Sequence, residues 1–187
     1  KERMLNELFD LLRIPSISAD PAYDNQVALC AEHIAAHMTD LGIQNVNIYP
    51  TKGHPIVYGD FLVDTALPTV LVYGHYDVQP ADPIELWDND PFDPIIKTTD
   101  IHSEGAIFAR GACDDKGQMF MHLKAFEILQ AEGGVPCNVK FMIEGEEEVG
   151  SSNLGPFLSE HKDMLACDTI LISDTGMIAN DTPSITT

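Results

Sequence analysis

A chain of 187 residues is long enough for one domain with a proper core and too short for two of ordinary size. With 30 Asp and Glu against 10 Lys and Arg, a formal charge of −20, no nucleic-acid or anionic-membrane partner is expected, because both reward positive charge. The 44% hydrophobic content is that of a globular protein, and no apolar run approaches the roughly 20 residues of a membrane span.

Leu5, Leu8, Phe9, Leu11 and Leu12 share one face at helical spacing, and Pro15 ends that helix. Glu2, Glu7 and Asp10 lie among them without a small-residue cleavage site, so the segment does not read as a signal peptide, and a cytoplasmic location follows by default. Lys1 is not a methionine and the chain opens directly in a helical pattern, so further residues are expected in front. A second helix is expected from about Asn25 to Leu41, with Val27, Cys30, Ile34 and Met38 inward and Gly42 as its C-terminal cap. Short β-rich runs follow at Asn45 to Tyr49, Ile56 to Phe61 and Thr69 to Tyr73.

The segment from Gln79 to Ile101, rich in Pro and Asp and carrying the single tryptophan Trp87, reads as a long loop leading to a hairpin around Ser103 to Gly105. Asp115 to Ala131 is predicted as a third helix with Met119, Leu123, Phe126 and Leu129 inward, stopped by Gly133 and Gly134. A strand at Asn138 to Ile143, a helix at Asn153 to Leu165 and a buried-type strand at Thr169 to Ser173 complete the pattern. Alternation of strands and helices from residue 69 onward predicts an α/β sandwich with a mostly parallel central sheet flanked by helices. Cys30, Cys113, Cys137 and Cys167 are widely spaced and form no C-x-x-C pair, so free thiols are expected.

Three of these strands run straight into potential metal ligands: Val70 to Tyr73 into His75 and Asp77, Val139 to Ile143 into Glu144 to Glu148, and Ile170 to Ser173 into Asp174. Ligands of open α/β sheets bind at the carboxyl ends of strands, so the three groups are expected to converge. Asp114, at the N-terminus of the third helix, is a fourth candidate, because backbone N–H groups and the helix dipole hold a carboxylate there. One histidine among several carboxylates is a donor set that zinc, manganese or cobalt accepts. Two divalent cations need a shared anion, and Asp114 is the natural bridge. Asp77, two residues after His75, is placed to fix its tautomer. Adjacent Glu147 and Glu148 divide the remaining labour, with Glu148 as ligand and Glu147 free to take a proton from an attacking water.

These residues resemble the co-catalytic metallopeptidases that include carnosinases, cytosolic nonspecific dipeptidases, succinyl-diaminopimelate desuccinylase, acetylornithine deacetylase, aminoacylase and glutamate carboxypeptidase. The resemblance runs along the whole chain through YGHYDVQP at 73–80, ARGACDDKGQ at 109–118, EGEEEVGS at 144–151 and ISD at 172–174. It implies a zinc-exopeptidase-like (phosphorylase/hydrolase-like) fold and two divalent ions, Zn2+ first, with Mn2+ or Co2+ as alternatives. It further implies His75 and Asp174 on one ion, Glu148 on the other, Asp114 bridging, Asp77 orienting His75 and Glu147 as base. GHYDVQP followed by WDNDPFDP is similar to the carnosinase and dipeptidase branch, which implies a dipeptide substrate. Deacylation of N-acyl amino acids, or metal binding without turnover, are the alternatives.

In this family a further histidine near the C-terminus completes the second site, and an inserted lid and dimerisation domain follows the ISD strand. Residues 1–187 are therefore expected to be the N-terminal portion of a catalytic domain, stopping at Ser184 to Thr187 near that insertion, inactive alone and a homodimer only through the lid.

Each residue also has a plainer role. His75 alone would be a core histidine, Glu146 to Glu148 a solvated acidic turn, and Asp114 and Asp115 helix caps, with Asp115 the better placed to cap. His33 and His37 lack the glutamate of H-E-x-x-H and are expected at the surface. His54, His102, His122 and His161 are expected to be structural or exposed, and Cys113 to pack its turn.

Overall fold

The computed structural model describes residues 1–179 and 182; the expected stop at 184–187 lies outside them. In chain order the elements are α1 (Glu2–Leu12), α2 (Asp24–Asp40), β1 (Gln44–Tyr49), β2 (Ile56–Phe61), β3 (Thr69–His75), β4 (Ile95–Lys97), β5 (Ala106–Phe108), α3 (Lys116–Ala131), β6 (Asn138–Glu144), α4 (Leu154–Glu160) and β7 (Thr169–Ile172). β4 and β5 form the expected hairpin, its first strand reaching back into the segment read as loop.

Val70 to Tyr73 are apolar at every position because β3 lies inside a five-stranded sheet of order β1-β2-β6-β3-β7 and is covered on both faces. Val72, with Val57, Phe141 and Ile143, meets Val27, Ile34 and Met38 of α2 and Met119, Leu123 and Phe126 of α3. On the other face Leu71, Tyr58 and Met142 pack against Phe157 of α4 and Leu165. The fold is mixed α/β. β3 pairs in parallel with β6 and with β7, while β2 is antiparallel to both β1 and β6. Four of the five strands thus run the same way, as the mostly parallel expectation has it, and β2 is the exception: the connection from β1 spans only residues 50–55, and so short a link can join only antiparallel neighbours.

α2 ends as Gly42 predicts. That residue sits at φ +81, its N–H donates to the Thr39 carbonyl at 2.9 Å, and the Ile43 N–H reaches back to the Met38 carbonyl at 3.1 Å. Other expectations are corrected. Leu129 is exposed and Phe120 takes the inward position on α3, because α1 packs along that side. α4 stops at Glu160, after which turns carry the chain to Leu165. His33 and His37 are half-buried between α1 and α3 rather than at the surface, with His37 stacked on Phe120. Cys113 is exposed instead of packing its turn, and all four cysteines are free.

Candidate metal centre

β3 and β6 run side by side until His75 faces Glu144, so the loops that leave them start at the same height. β7 pairs with the far side of β3 through Tyr73 and Ile172, which brings Asp174 to that end as well. The α3 N-terminus packs over β3 at Gly74, where a Cβ would lie only 2.8 Å from Asp115 Oδ2 and 3.0 Å from Met119 Cβ. A glycine at 74 is what lets the Asp114–Asp115 turn, whose peptide bond is cis, approach the strand so closely.

All six expected residues meet there. The imidazole of His75 is fully buried, and its Nε2 lies 3.2 Å from Asp114 Oδ1, 3.6 Å from Asp174 Oδ2 and 3.8 Å from Glu147 Oε2. Donor atoms of His75, Asp114 and Glu148 fall within 4.8 Å of one another, as do those of His75, Glu147 and Asp174. Glu147 thus lies as near the cluster as the residues expected to be ligands.

Nδ1 of His75 faces the Asp77 carbonyl at 3.0 Å and Asp77 Oδ1 at 3.3 Å, both acceptors, so a ring proton belongs on Nδ1 and Nε2 is the nitrogen turned toward the carboxylates. Despite its carboxylate neighbours, Nε2 makes no hydrogen bond of acceptable geometry. A buried ring nitrogen without a hydrogen bond, ringed by carboxylates, fits a divalent cation, which would take the place of a proton on Nε2.

Asp77 does more than orient His75. Its carboxylate accepts from Ser18 Oγ at 2.6 Å and from the backbone N–H groups of Glu147 at 3.2 Å and Glu148 at 3.1 Å, so one buried side chain fixes the turn that carries both glutamates. Gln79 Nε2 donates to Glu148 Oε2 at 2.7 Å, which tethers the carboxylate beside the cluster. Below the turn, Glu144 accepts from Tyr73 and from Ser151 Oγ. Asp115 does not cap α3; its Oδ2 accepts the backbone N–H of His75 at 3.0 Å.

Sequence reasoning missed Ser18, which is 59 residues from its partner and has no local signal. Gln79 lies inside the YGHYDVQP motif and could have been suspected.

Among the described residues no lysine or arginine forms an ion pair with these carboxylates. Burial alone would lower the His75 pKa, but Asp77 first, then Asp115 and Glu147, outweigh it and push it up to about 10. Burial raises Asp115 to about 7, tempered by the His75 N–H. Burial likewise holds the Glu147 carboxyl above the ordinary carboxylate range; His75 opposes this, and the charges of Glu148, Asp174 and Asp77 add to it. The whole cluster calls for positive charge.

Residues 71–186 match the family described as Peptidase family M20/M25/M40. Over 190 residues the chain is 33% identical to the cysteinylglycine-S-conjugate dipeptidase of Corynebacterium striatum, covering all of this chain and 40% of that protein. It is 37% identical over 135 residues to the human Beta-Ala-His dipeptidase, covering 71% of this chain and 25% of that one. The solved structure of the dipeptidase Dug1p from Saccharomyces cerevisiae superposes with a TM-score of 0.85 at 27% identity, over 94% of this chain and 39% of Dug1p. The chain therefore spans 40% or less of the length of these three relatives.

Proposed function

The chain belongs to peptidase family M20/M25/M40, and from that membership we propose that the whole protein is a metallodipeptidase whose reacting groups gather at the carboxyl ends of β3, β6 and β7. The observation that carries this reading is the buried, hydrogen-bond-free Nε2 of His75 among the carboxylates of Asp114, Glu147 and Asp174. In this proposal His75 and Asp174 would hold one divalent cation, Glu148 would hold a second, and Asp114 would serve both. The donor set suits Zn2+ first and Mn2+ or Co2+ next. When bound, the ions supply polarisation of the scissile carbonyl and a lowered pKa for a water at the site.

The chain's own residues do the rest. Asp77 keeps the His75 proton on Nδ1 and, through the Glu147 and Glu148 amides, holds the glutamate turn at a fixed distance from the imidazole. Glu148 is tethered by Gln79, whereas Oε2 of Glu147 points at the cluster and its carboxyl has a raised pKa. Glu147 is therefore the base. Its carboxylate takes a proton from the water as the new C–O bond forms, then delivers it to the amine nitrogen as the C–N bond breaks.

The dipeptide preference rests on relatives named as dipeptidases, and deacylation of N-acyl amino acids is the competing outcome. Hydrolysis of a dipeptide panel and an N-acetyl amino acid panel by the full-length protein and its Glu147→Ala variant tests both. Dipeptide cleavage by the wild type, lost in the variant, supports the proposal. Turnover confined to the acetylated panel moves the protein to the deacylases, and metal binding with no turnover of either makes it a binding module.

A further inference from the structure

Two polar side chains of α3 take no part in the chemistry above, yet both touch the segments that carry it. Gln118 and His122 are four residues apart and so share a face of the helix. His122 Nε2 is hydrogen-bonded to Ser173 Oγ at 2.6 Å, and the Thr175 N–H makes a long 3.5 Å contact to Gln118 Oε1. The residues on either side of Asp174 are therefore both tied to α3. Gln118 also donates from Nε2 to the Cys113 carbonyl at 2.8 Å, one residue before Asp114.

Asp174 needs such support more than its neighbours do. The pairing of β7 with β3 ends at Ile172, two residues short of the aspartate. His75 and Asp77, by contrast, lie on or just beyond a central strand and are fully buried. His122 is not itself a candidate ligand, because its Nε2 is engaged by Ser173 and it joins neither group of clustered donors.

We propose that Gln118 and His122 are positioning residues that hold Asp174 and the Asp114 turn in register with each other for a shared divalent cation. The inference rests on the reading of His75, Asp114 and Asp174 as ligands. α3 then acts as a ruler between the turn at its own N-terminus and the end of β7, and His122 sets the position of Asp174 through Ser173.

The test is Zn2+ affinity, measured by competition with a chromogenic chelator, together with the visible spectrum of the Co2+-loaded form. Both are read on the metal-stripped full-length protein, with its thermal midpoint as a control on folding. The variants are His122→Leu, which keeps bulk and loses the polar atoms, His122→Gln, which restores a polar tip, Ser173→Ala and Asp174→Asn. His122→Leu and Ser173→Ala are each expected to weaken one Zn2+ site about 10-fold and to alter the Co2+ spectrum, with His122→Gln recovering most of the affinity. Should His122→Leu fail to fold, Ser173→Ala, a single hydroxyl removed, carries the test. Wild-type Zn2+ affinity in both His122→Leu and Ser173→Ala, alongside loss of a site in Asp174→Asn, overturns the clamp and leaves the metal centre standing. Undiminished binding in Asp174→Asn overturns the ligand assignment and the clamp with it.

Discussion

α3 borders two acidic clusters of opposite character. Along its middle, Lys124 Nζ lies 2.5 Å from Glu7 Oε2 and 2.8 Å from Glu127 Oε2, and Arg3 pairs with both glutamates, so each carboxylate has a cation from the chain itself. At its N-terminus Asp77, Asp114, Glu147, Glu148 and Asp174 surround one histidine, and among the described residues no lysine or arginine forms an ion pair with them. The first cluster holds α1 to α3. The second sets five carboxylates against the single imidazole of His75 and so favours a cation from outside, and that difference separates a structural ion network from a candidate binding centre more sharply than the number of acidic residues does.

The comparison can be broken at several strengths. The largest expected effect is on turnover: in the full-length protein Glu147→Gln should lower kcat by about a thousand-fold in steady-state dipeptide hydrolysis while bound metal is retained. Next, Asp114→Asn removes the proposed shared charge and should weaken Zn2+ binding about 10- to 100-fold in chelator competition. Smaller, and of opposite sign in the two clusters, are the effects on the melting temperature of the metal-stripped protein. Lys124→Met leaves Glu7 and Glu127 with Arg3 alone and should destabilise by about 1 kcal/mol, whereas Glu147→Gln relieves repulsion and should raise Tm slightly. Equal signs would mean that the second cluster is already neutralised within the protein.

Acid titration gives the mildest contrast. Lys124 and Arg3 outweigh partial burial and hold the Glu7 and Glu127 carboxyls below their ordinary value. Their pairing therefore stabilises fully above about pH 4.3 and is lost as pH falls through the depressed folded values. Tm measured between pH 7 and 2.5 should drop more steeply in the wild type than in Lys124→Met.

Much of this second cluster was legible in the sequence, because a continuous apolar strand followed at once by His or Glu is a local pattern, and three such strands in a parallel arrangement must end together. His75, Glu147, Glu148 and Asp174 come together where that pattern put them, and Asp114 joins them from the turn before α3. What was not legible depended on contacts between distant segments. Nothing near Ser18 marks it as a partner of Asp77, and nothing near His122 marks it as a partner of Ser173. Asp115 reads as a helix cap until the approach of β3 at Gly74 offers it the His75 amide instead. The reversed direction of β2 was likewise hidden, because an apolar run looks alike in either direction.

The most direct test of a centre built for outside cations is the metal stoichiometry of the full-length protein, by titrating the stripped form with Zn2+ and assaying bound metal after dialysis. Two ions per chain are expected in the wild type, each raising Tm, and the same two in Glu147→Gln. No bound ion, or two ions that survive simultaneous replacement of His75 and Asp114 by alanine, would contradict this.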